Sequence, residues 1–138
     1  MRNFFRGLLA VITGVIVIIL LFGIANLLVN LVVYLILQIP VIGKWFARFW
    51  WDACFELLAA YIAYFLGAFI VTKIAGNHTK TQKTSLIITA SIMIAIHVIG
   101  ILSIIVALLL KIDYDNTLFA NIANIIGGLL LISEARKL

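Results

Sequence analysis

The sequence predicts an all-helical integral membrane protein, a bundle of four transmembrane helices with both termini on the cytoplasmic side. Of its 138 residues, 66% are hydrophobic and 11% are charged, whereas ordinary soluble domains carry about 25% charged residues. A helix needs roughly 20 apolar residues to cross the hydrocarbon core. The apolar runs do not alternate with polar residues, so they match helices rather than barrel strands. The predicted helices cover about residues 5–28, 53–74, 85–110 and 117–133.

The first apolar run is longer than one crossing requires. It continues from Phe4 to Gln38, which as a single helix would measure roughly 50 Å. The helix therefore either ends near Leu28 or extends to Gln38. Asn26 and Asn30 are its polar interruptions, and we expect any bend to lie there.

A short interfacial helix is predicted at about residues 43–51, on the outer surface. All three tryptophans of the chain fall in this segment, and tryptophan prefers the headgroup zone of a bilayer. The alternative is a lid over a cavity. Pro40 and Gly43 are expected to end the preceding helix, and Asp52 is expected to cap the next one.

Basic residues set the predicted orientation. Arg2 and Arg6 lie at the start, three lysines lie in the segment 73–83, and Arg136 and Lys137 lie at the end. The positive-inside rule places these segments in the cytoplasm. The formal net charge of +5 could also suggest a nucleic-acid partner. Because the cations are spread over short loops and the two ends, the membrane explains them more simply, and we expect no nucleic-acid partner.

Small residues recur at four-residue spacing on the second and fourth spanning helices. Such ridges let membrane helices approach closely, and van der Waals packing then replaces the missing hydrophobic drive. We expect these ridges to pack against each other or against another subunit. The helix-packing candidates are Ala59, Ala63, Gly67, Ala123, Gly127 and Gly128.

Five polar side chains are expected in the outer half of the bundle. Polar groups in lipid usually face the bundle interior and pair with one another. The structural interpretation is a set of interhelical hydrogen bonds. The functional interpretation is an outward-facing pocket for a cation or small solute, in which the carboxylate accepts the cation or a proton. The cluster comprises Glu56, Asn26, Asn30, Asn121 and Asn124.

His97 lies near the middle of the third spanning helix, where an unpaired polar side chain is costly. Tyr64 falls at a similar estimated depth, so a Tyr64–His97 hydrogen bond is predicted to satisfy both groups. The alternatives are a proton relay and an axial haem ligand. The other histidine, His78, lies in a loop, which argues against bis-histidine haem. With a single cysteine, Cys54, and no Cys/His cluster, we expect no cofactor and no metal site.

Specific residues in the second spanning helix carry a resemblance. Residues Tyr64–Phe69 read YFLGAF, residues Ile74–Gly76 read IAG, and Gly14 lies inside the first helix after a basic start. In these features the chain resembles uncharacterised small four-helix bacterial inner-membrane proteins. The resemblance implies a multi-pass protein of the bacterial cytoplasmic membrane, and it implies no activity and no functional residues.

Three classes of function remain, in a definite order. The first is a non-enzymatic accessory or assembly subunit that binds other membrane helices, in a homo-oligomer or a larger membrane complex within the lipid bilayer. The alternative is a small oligomeric transporter or channel for an ion or small solute, using the outer polar cluster. An enzyme comes last, because the loops are too short to hold a catalytic domain and no facing acids occur within the spans.

Overall fold

The chain folds into consecutive helices joined by short connections. The structure, a computed structural model, describes residues 1–46, 51–112 and 118–138, and for residues 44–46, 51 and 52 it describes the backbone alone. The helices are α1 (Arg2–Leu37), α2 (Pro40–Phe46), α3 (Trp51–Ala75), α4 (Thr79–Leu109) and α5 (Leu118–Lys137).

Four of these helices are long and apolar enough to cross a membrane, judged by length and composition: α1, α3, α4 and α5. This confirms the prediction of an all-helical chain with four candidate spans. The lengths of the four helices are unequal. At 1.5 Å per residue, α1 with 36 residues measures about 54 Å, and α4 with 31 residues about 46 Å. The 20 residues of α5 reach only about 30 Å.

The first apolar run forms one uninterrupted helix, so of the two alternatives the longer one is correct. Proline then starts α2 rather than merely ending α1, because its fixed φ suits the first helical position. The prediction that Gly43 ends a helix is wrong. Gly43 lies within α2 and donates its backbone N–H to the Ile39 carbonyl over 2.7 Å. A Cβ at Gly43 would lie 2.7 Å from the Leu37 carbonyl oxygen, so only glycine allows this tight turn.

The remaining helix boundaries also differ in places from the sequence expectation. The predicted interfacial helix starts at Pro40 instead of residue 43, and residues 47–50 of that prediction lie outside the described residues. Asp52 does not precede α3, because the helix already begins at Trp51. Helix α5 runs four residues beyond the predicted end, since Ala135 is still packed in the core.

Helix α4 begins at Thr79, six residues before the predicted start. Its first turns are polar, and polar turns can lie at a surface while the helix continues. Gln82 on this extension donates its amide to the Gly76 carbonyl over 2.6 Å and to the Thr72 carbonyl over 3.4 Å. These bonds satisfy carbonyls at the end of α3, which have no partner within their own helix. Gly76 itself reverses the chain with φ +83°, a left-handed conformation that glycine adopts without strain.

The two hairpins of the bundle lie side by side. Helix α1 packs against α3 and α4, and α5 packs against the same two helices. Seen along the bundle axis, α1 and α5 therefore lie at diagonally opposite corners. Gly67 on α3 receives the side chain of Ile18 on α1, and Gly14 receives Val71, which makes these helices antiparallel. Both termini and the α3–α4 turn therefore lie at one end of the bundle, which we call the terminal end.

The packed core lies mainly toward the terminal end. Over the whole described length of α1, no residue beyond Ile18 is fully buried. On α4, Met93 is followed by a single further buried residue, Ile104. The two longest helices thus extend past the core with apolar side chains that the chain itself leaves exposed, including Leu27 and Leu109. Leu21 and Phe22 of α1 still pack against the core, and Ile104 of α4 is buried. We call the stretches beyond them, residues 23–37 and 105–109, the extensions of α1 and α4.

Candidate functional site

The small-residue ridges face into the bundle. Ala59, Ala63 and Ala123 are at most 1% exposed, and the three glycines on the ridges are also buried. Ridge glycines receive large side chains from neighbouring helices: Gly127 lies under the Tyr64 ring and Gly128 under Ile94. We expected the ridges to pack either within the chain or against another subunit. The structure shows packing within the chain, so these ridges are not free to bind another subunit.

His97 is hydrogen-bonded to Asn121, on the helix that follows it in the chain. Its Nδ1 lies 2.9 Å from Asn121 Oδ1, and since that oxygen accepts only, the Nδ1–H of the imidazole is the donor. Gly100, one turn along α4, makes room for the amide. A Cβ there would lie 2.5 Å from Asn121 Oδ1. The pair links α4 to α5 and leaves the imidazole half-buried.

The predicted hydrogen bond between Tyr64 and His97 is therefore wrong. Within the part of the chain that the structure describes, the buried Tyr64 hydroxyl has no hydrogen-bond partner. Depth along each helix was similar for the two residues, but depth alone does not place helices side by side. The main neighbours of α4 are α5 and α1, so the amide of Asn121 reaches His97 first. The Tyr64 ring instead packs on Gly127.

The predicted polar cluster is divided between corners of the bundle. Asn26 and Asn30 lie on α1, which sits diagonally across from α5 and its two asparagines. Asn26 is half-buried and Asn30 is exposed, so Asn30 does not face the interior. Glu56 is half-buried on α3, the helix that packs against both corners. The four asparagines therefore fall into two pairs, one on α1 and one on α5. Glu56 lies on α3, the helix between them.

The two asparagines of α5 have different surroundings. Asn124 is 1% exposed, and its Nδ2 donates to the Ala120 carbonyl of its own helix over 2.8 Å. This bond gives one N–H of the amide an acceptor within its own helix. Asn121, which reaches across to α4, is the member of this group that connects two spans.

The terminal end holds features that the sequence analysis missed. A cavity of about 470 Å³ lies between the start of α1 and the α3–α4 turn, and it includes the side chains of Arg2, Arg6 and His78. A Cβ on Gly76 would lie 3.1 Å from Arg6 Nη1, so the guanidinium rests against the turn. In the sequence, this site is visible only as two basic segments far apart in the chain, the start with Arg2 and Arg6 and the segment 73–83. Only the parallel packing of α1 and α4 places the two together.

A second cavity at this end, of about 350 Å³, is a groove between α1 and α4. Its floor is mostly apolar, and Lys80 lies along it. The Ser85 hydroxyl donates to the Gly7 carbonyl over 3.4 Å, which ties the two helices together beside the groove. The lining residues are Asn3, Phe4, Gly7, Leu8, Val11, Lys80, Thr81, Thr84, Ser85 and Ile88.

Comparisons with known proteins add no assignment. No family model, no curated protein and no solved structure matches the chain. The functional interpretation consequently depends on the sequence and the geometry of the chain itself.

Proposed function

We propose that the protein is a multi-pass membrane protein whose terminal end faces the cytoplasm. The four apolar helices support insertion, and the concentration of cations at the terminal end supports the orientation. In the sequence, segments 38–52 and 110–117 carry only Lys44, Arg48 and Lys111 as basic residues, together with three aspartates. The resemblance described above favours the bacterial cytoplasmic membrane.

Labelling of introduced cysteines tests this orientation. Cys54 is exposed and is first replaced by serine. A membrane-impermeant maleimide added to intact cells should then modify Asp113→Cys but not Asn77→Cys. After the membrane is permeabilised, both positions should react. Labelling of Asn77→Cys in intact cells would reverse the proposed topology.

We further propose that the protein is a non-enzymatic accessory or assembly subunit that binds other membrane helices. The observation that carries this proposal is the length of α1 and α4. Their extensions continue past the core as apolar helix, with Leu27 72% exposed and Leu109 78% exposed. The small-residue ridges are used within the chain, whereas the extensions offer exposed apolar surface to a partner. A hydrocarbon core of ~30 Å is too thin to cover α1 and α4 completely. Partner helices would shield the remaining apolar side chains of the extensions from water.

Site-specific photo-crosslinking in native membranes tests the subunit proposal. A benzophenone amino acid is placed at Leu31 on the α1 extension and at Leu109 on the α4 extension. Leu129, an exposed residue of the short helix α5, is the matched control. We expect crosslinks to one different protein from Leu31 and Leu109 and none from Leu129. Equal crosslinking at all three positions, or none at the extensions, would contradict the proposal.

A second candidate is an oligomeric transporter or channel for an ion or small solute. The His97–Asn121 bond favours it, because it places an ionisable group on a polar contact between two spans. Crosslinking of Leu31 or Leu109 to a second copy of this chain would support this candidate. Proteoliposomes that conduct protons, and that lose the flux in a folded His97→Gln variant, would establish it over the subunit proposal.

A further inference from the structure

The two cavities at the terminal end meet at one residue, and their chemistry is complementary. Asn3 lines both the basic cavity and the apolar groove between α1 and α4. One cavity offers two guanidinium groups, and the other offers an apolar trough. A ligand that occupies both must carry an anionic head and a hydrocarbon tail.

The charge around this site is entirely of one sign within the described residues. Arg2, Arg6 and His78 line the basic cavity, and Lys80 lies along the groove. None of the acidic residues that the structure describes lines either cavity. Glu134, the acid at the same end, forms an ion pair with Lys137 on α5 instead. An anion at this site would therefore meet two arginines, a lysine and the His78 imidazole, and no carboxylate.

The groove offers an apolar path that an acyl chain can follow. From Asn3 to Val11 it follows α1 for about 12 Å, away from the terminus and toward the membrane interior. Phe4, Leu8 and Ile88 supply apolar surface along this path. Gly7 leaves the groove open at its middle, because a Cβ there would lie 3.3 Å from the Thr81 methyl group.

We propose that the terminal end binds one anionic phospholipid, with its phosphate among Arg2, Arg6 and His78 and one acyl chain in the α1–α4 groove. Arginine suits the phosphate because its planar fork donates two parallel hydrogen bonds. Basic pockets between spanning helices are a known way to hold anionic headgroups. This inference goes beyond the proposed subunit function and does not depend on it, since it requires only membrane insertion.

Native mass spectrometry of the purified full chain tests the site. Delipidated protein in detergent is titrated with phosphatidylglycerol or with phosphatidylcholine carrying the same oleoyl chains. We expect one phosphatidylglycerol to bind at least tenfold more tightly than phosphatidylcholine. At about 1 kcal/mol per basic residue near a lipid surface, Arg6→Gln should weaken phosphatidylglycerol binding about fivefold. The control is Lys111→Gln, an equal loss of charge at an exposed residue of the opposite end, which should change nothing.

A groove variant tests the acyl chain separately. Thr84→Phe places a ring in the groove and should abolish tight phosphatidylglycerol binding. Ser91→Phe makes the same kind of change at an exposed position two turns along α4, outside the groove lining, and should leave binding intact. If Arg6→Gln fails to fold, the exposed Arg2→Gln variant carries the same test of the head site.

Two results would overturn the proposal. One is equal affinity for phosphatidylglycerol and phosphatidylcholine, which would show that the cations do not select the headgroup. The other is full competition by soluble glycerol phosphate, together with unchanged binding in Thr84→Phe. That result would show a site for a free phosphate ester instead of a lipid. Weak or absent competition by glycerol phosphate supports the lipid.

Discussion

Replacing Gly127 by alanine should destabilise the bundle, because the Tyr64 ring occupies the space that the new methyl group would fill. A Cβ at Gly127 would lie 2.6 Å from Tyr64 Cε2, well inside the ~3.5–4.0 Å of favourable carbon contact. Tyr64 is completely buried, so a shift of its ring must also displace its closely packed neighbours. Overpacking of this kind costs about 1–3 kcal/mol. Alanine recovers about 1 kcal/mol of helix propensity, which leaves a net loss of about 0–2 kcal/mol.

Gly23→Ala is the matched control for this substitution. It makes the same chemical change in the middle of α1, where a Cβ would meet nothing within 4 Å. Only the gain in helix propensity remains there, so this variant should be stabilised by up to about 1 kcal/mol. The difference between the two variants isolates the overpacking energy, and we expect about 1–3 kcal/mol.

Unfolding by SDS in mixed micelles, followed by tryptophan fluorescence, measures both free energies. The Gly127→Ala variant should unfold at a lower SDS fraction than the wild type, and Gly23→Ala at an equal or higher one. Adding Tyr64→Leu to Gly127→Ala should show a coupling of about 0.5–3 kcal/mol, as expected for residues in contact. If the two alanine variants unfold together, the ring does not pack on Gly127 and the α3–α5 contact described above is incorrect.

Three further substitutions are checked by the same unfolding measurement. Tyr64→Phe keeps the ring but removes a buried hydroxyl that has no partner among the described residues, so it should stabilise the protein by about 1 kcal/mol; a loss of stability would mean that the hydroxyl is bonded. Gly100→Ala should cost about 0–2 kcal/mol, since its Cβ would lie 2.5 Å from Asn121 Oδ1 and the overpacking outweighs the gain in helix propensity. A stabilisation as large as that of Gly23→Ala would place that amide elsewhere. Gly76→Ala should cost about 1–2 kcal/mol, because φ is +83° there, and Gly76→Asn should cost less because asparagine tolerates this region better.

Much of the fold follows from the sequence because hydrocarbon leaves few choices for a polypeptide backbone. Uninterrupted apolar runs of sufficient length must become helices, and the predicted spans agree with the helices near their centres. The ends were less predictable. Helix α4 starts early because Gln82 bonds to carbonyls of the preceding helix, and that contact between helices leaves no mark on hydropathy. The prediction for Gly43 is wrong because the close approach of Gly43 to Leu37 depends on the geometry of the turn.

The candidate sites were harder to predict, because they depend on which helices are neighbours. Counting residues gives the depth of a side chain but not its direction around the helix axis. Depth alone therefore predicts that His97 pairs with Tyr64, whereas its partner is Asn121 on α5, the adjacent helix. Gly100 was the clue in the sequence, since a glycine one turn from a membrane histidine marks space for a partner on the adjacent helix. The roles of the polar residues remain predictions.

In a bilayer, where we propose that the protein resides, the unequal lengths of the four candidate spans have a consequence for the surrounding lipid. Helices α1 and α4 form one side of the bundle, and both exceed the ~30 Å thickness of a typical hydrocarbon core. Helix α5, at the opposite corner, matches it. Tilting relieves part of such a mismatch, and the bilayer must thicken to relieve the rest. The lipid annulus around this protein should therefore be thicker on one side than on the other. Such a thickness gradient gives the protein a preferred lateral orientation toward neighbours and toward thicker membrane regions, even without a specific contact.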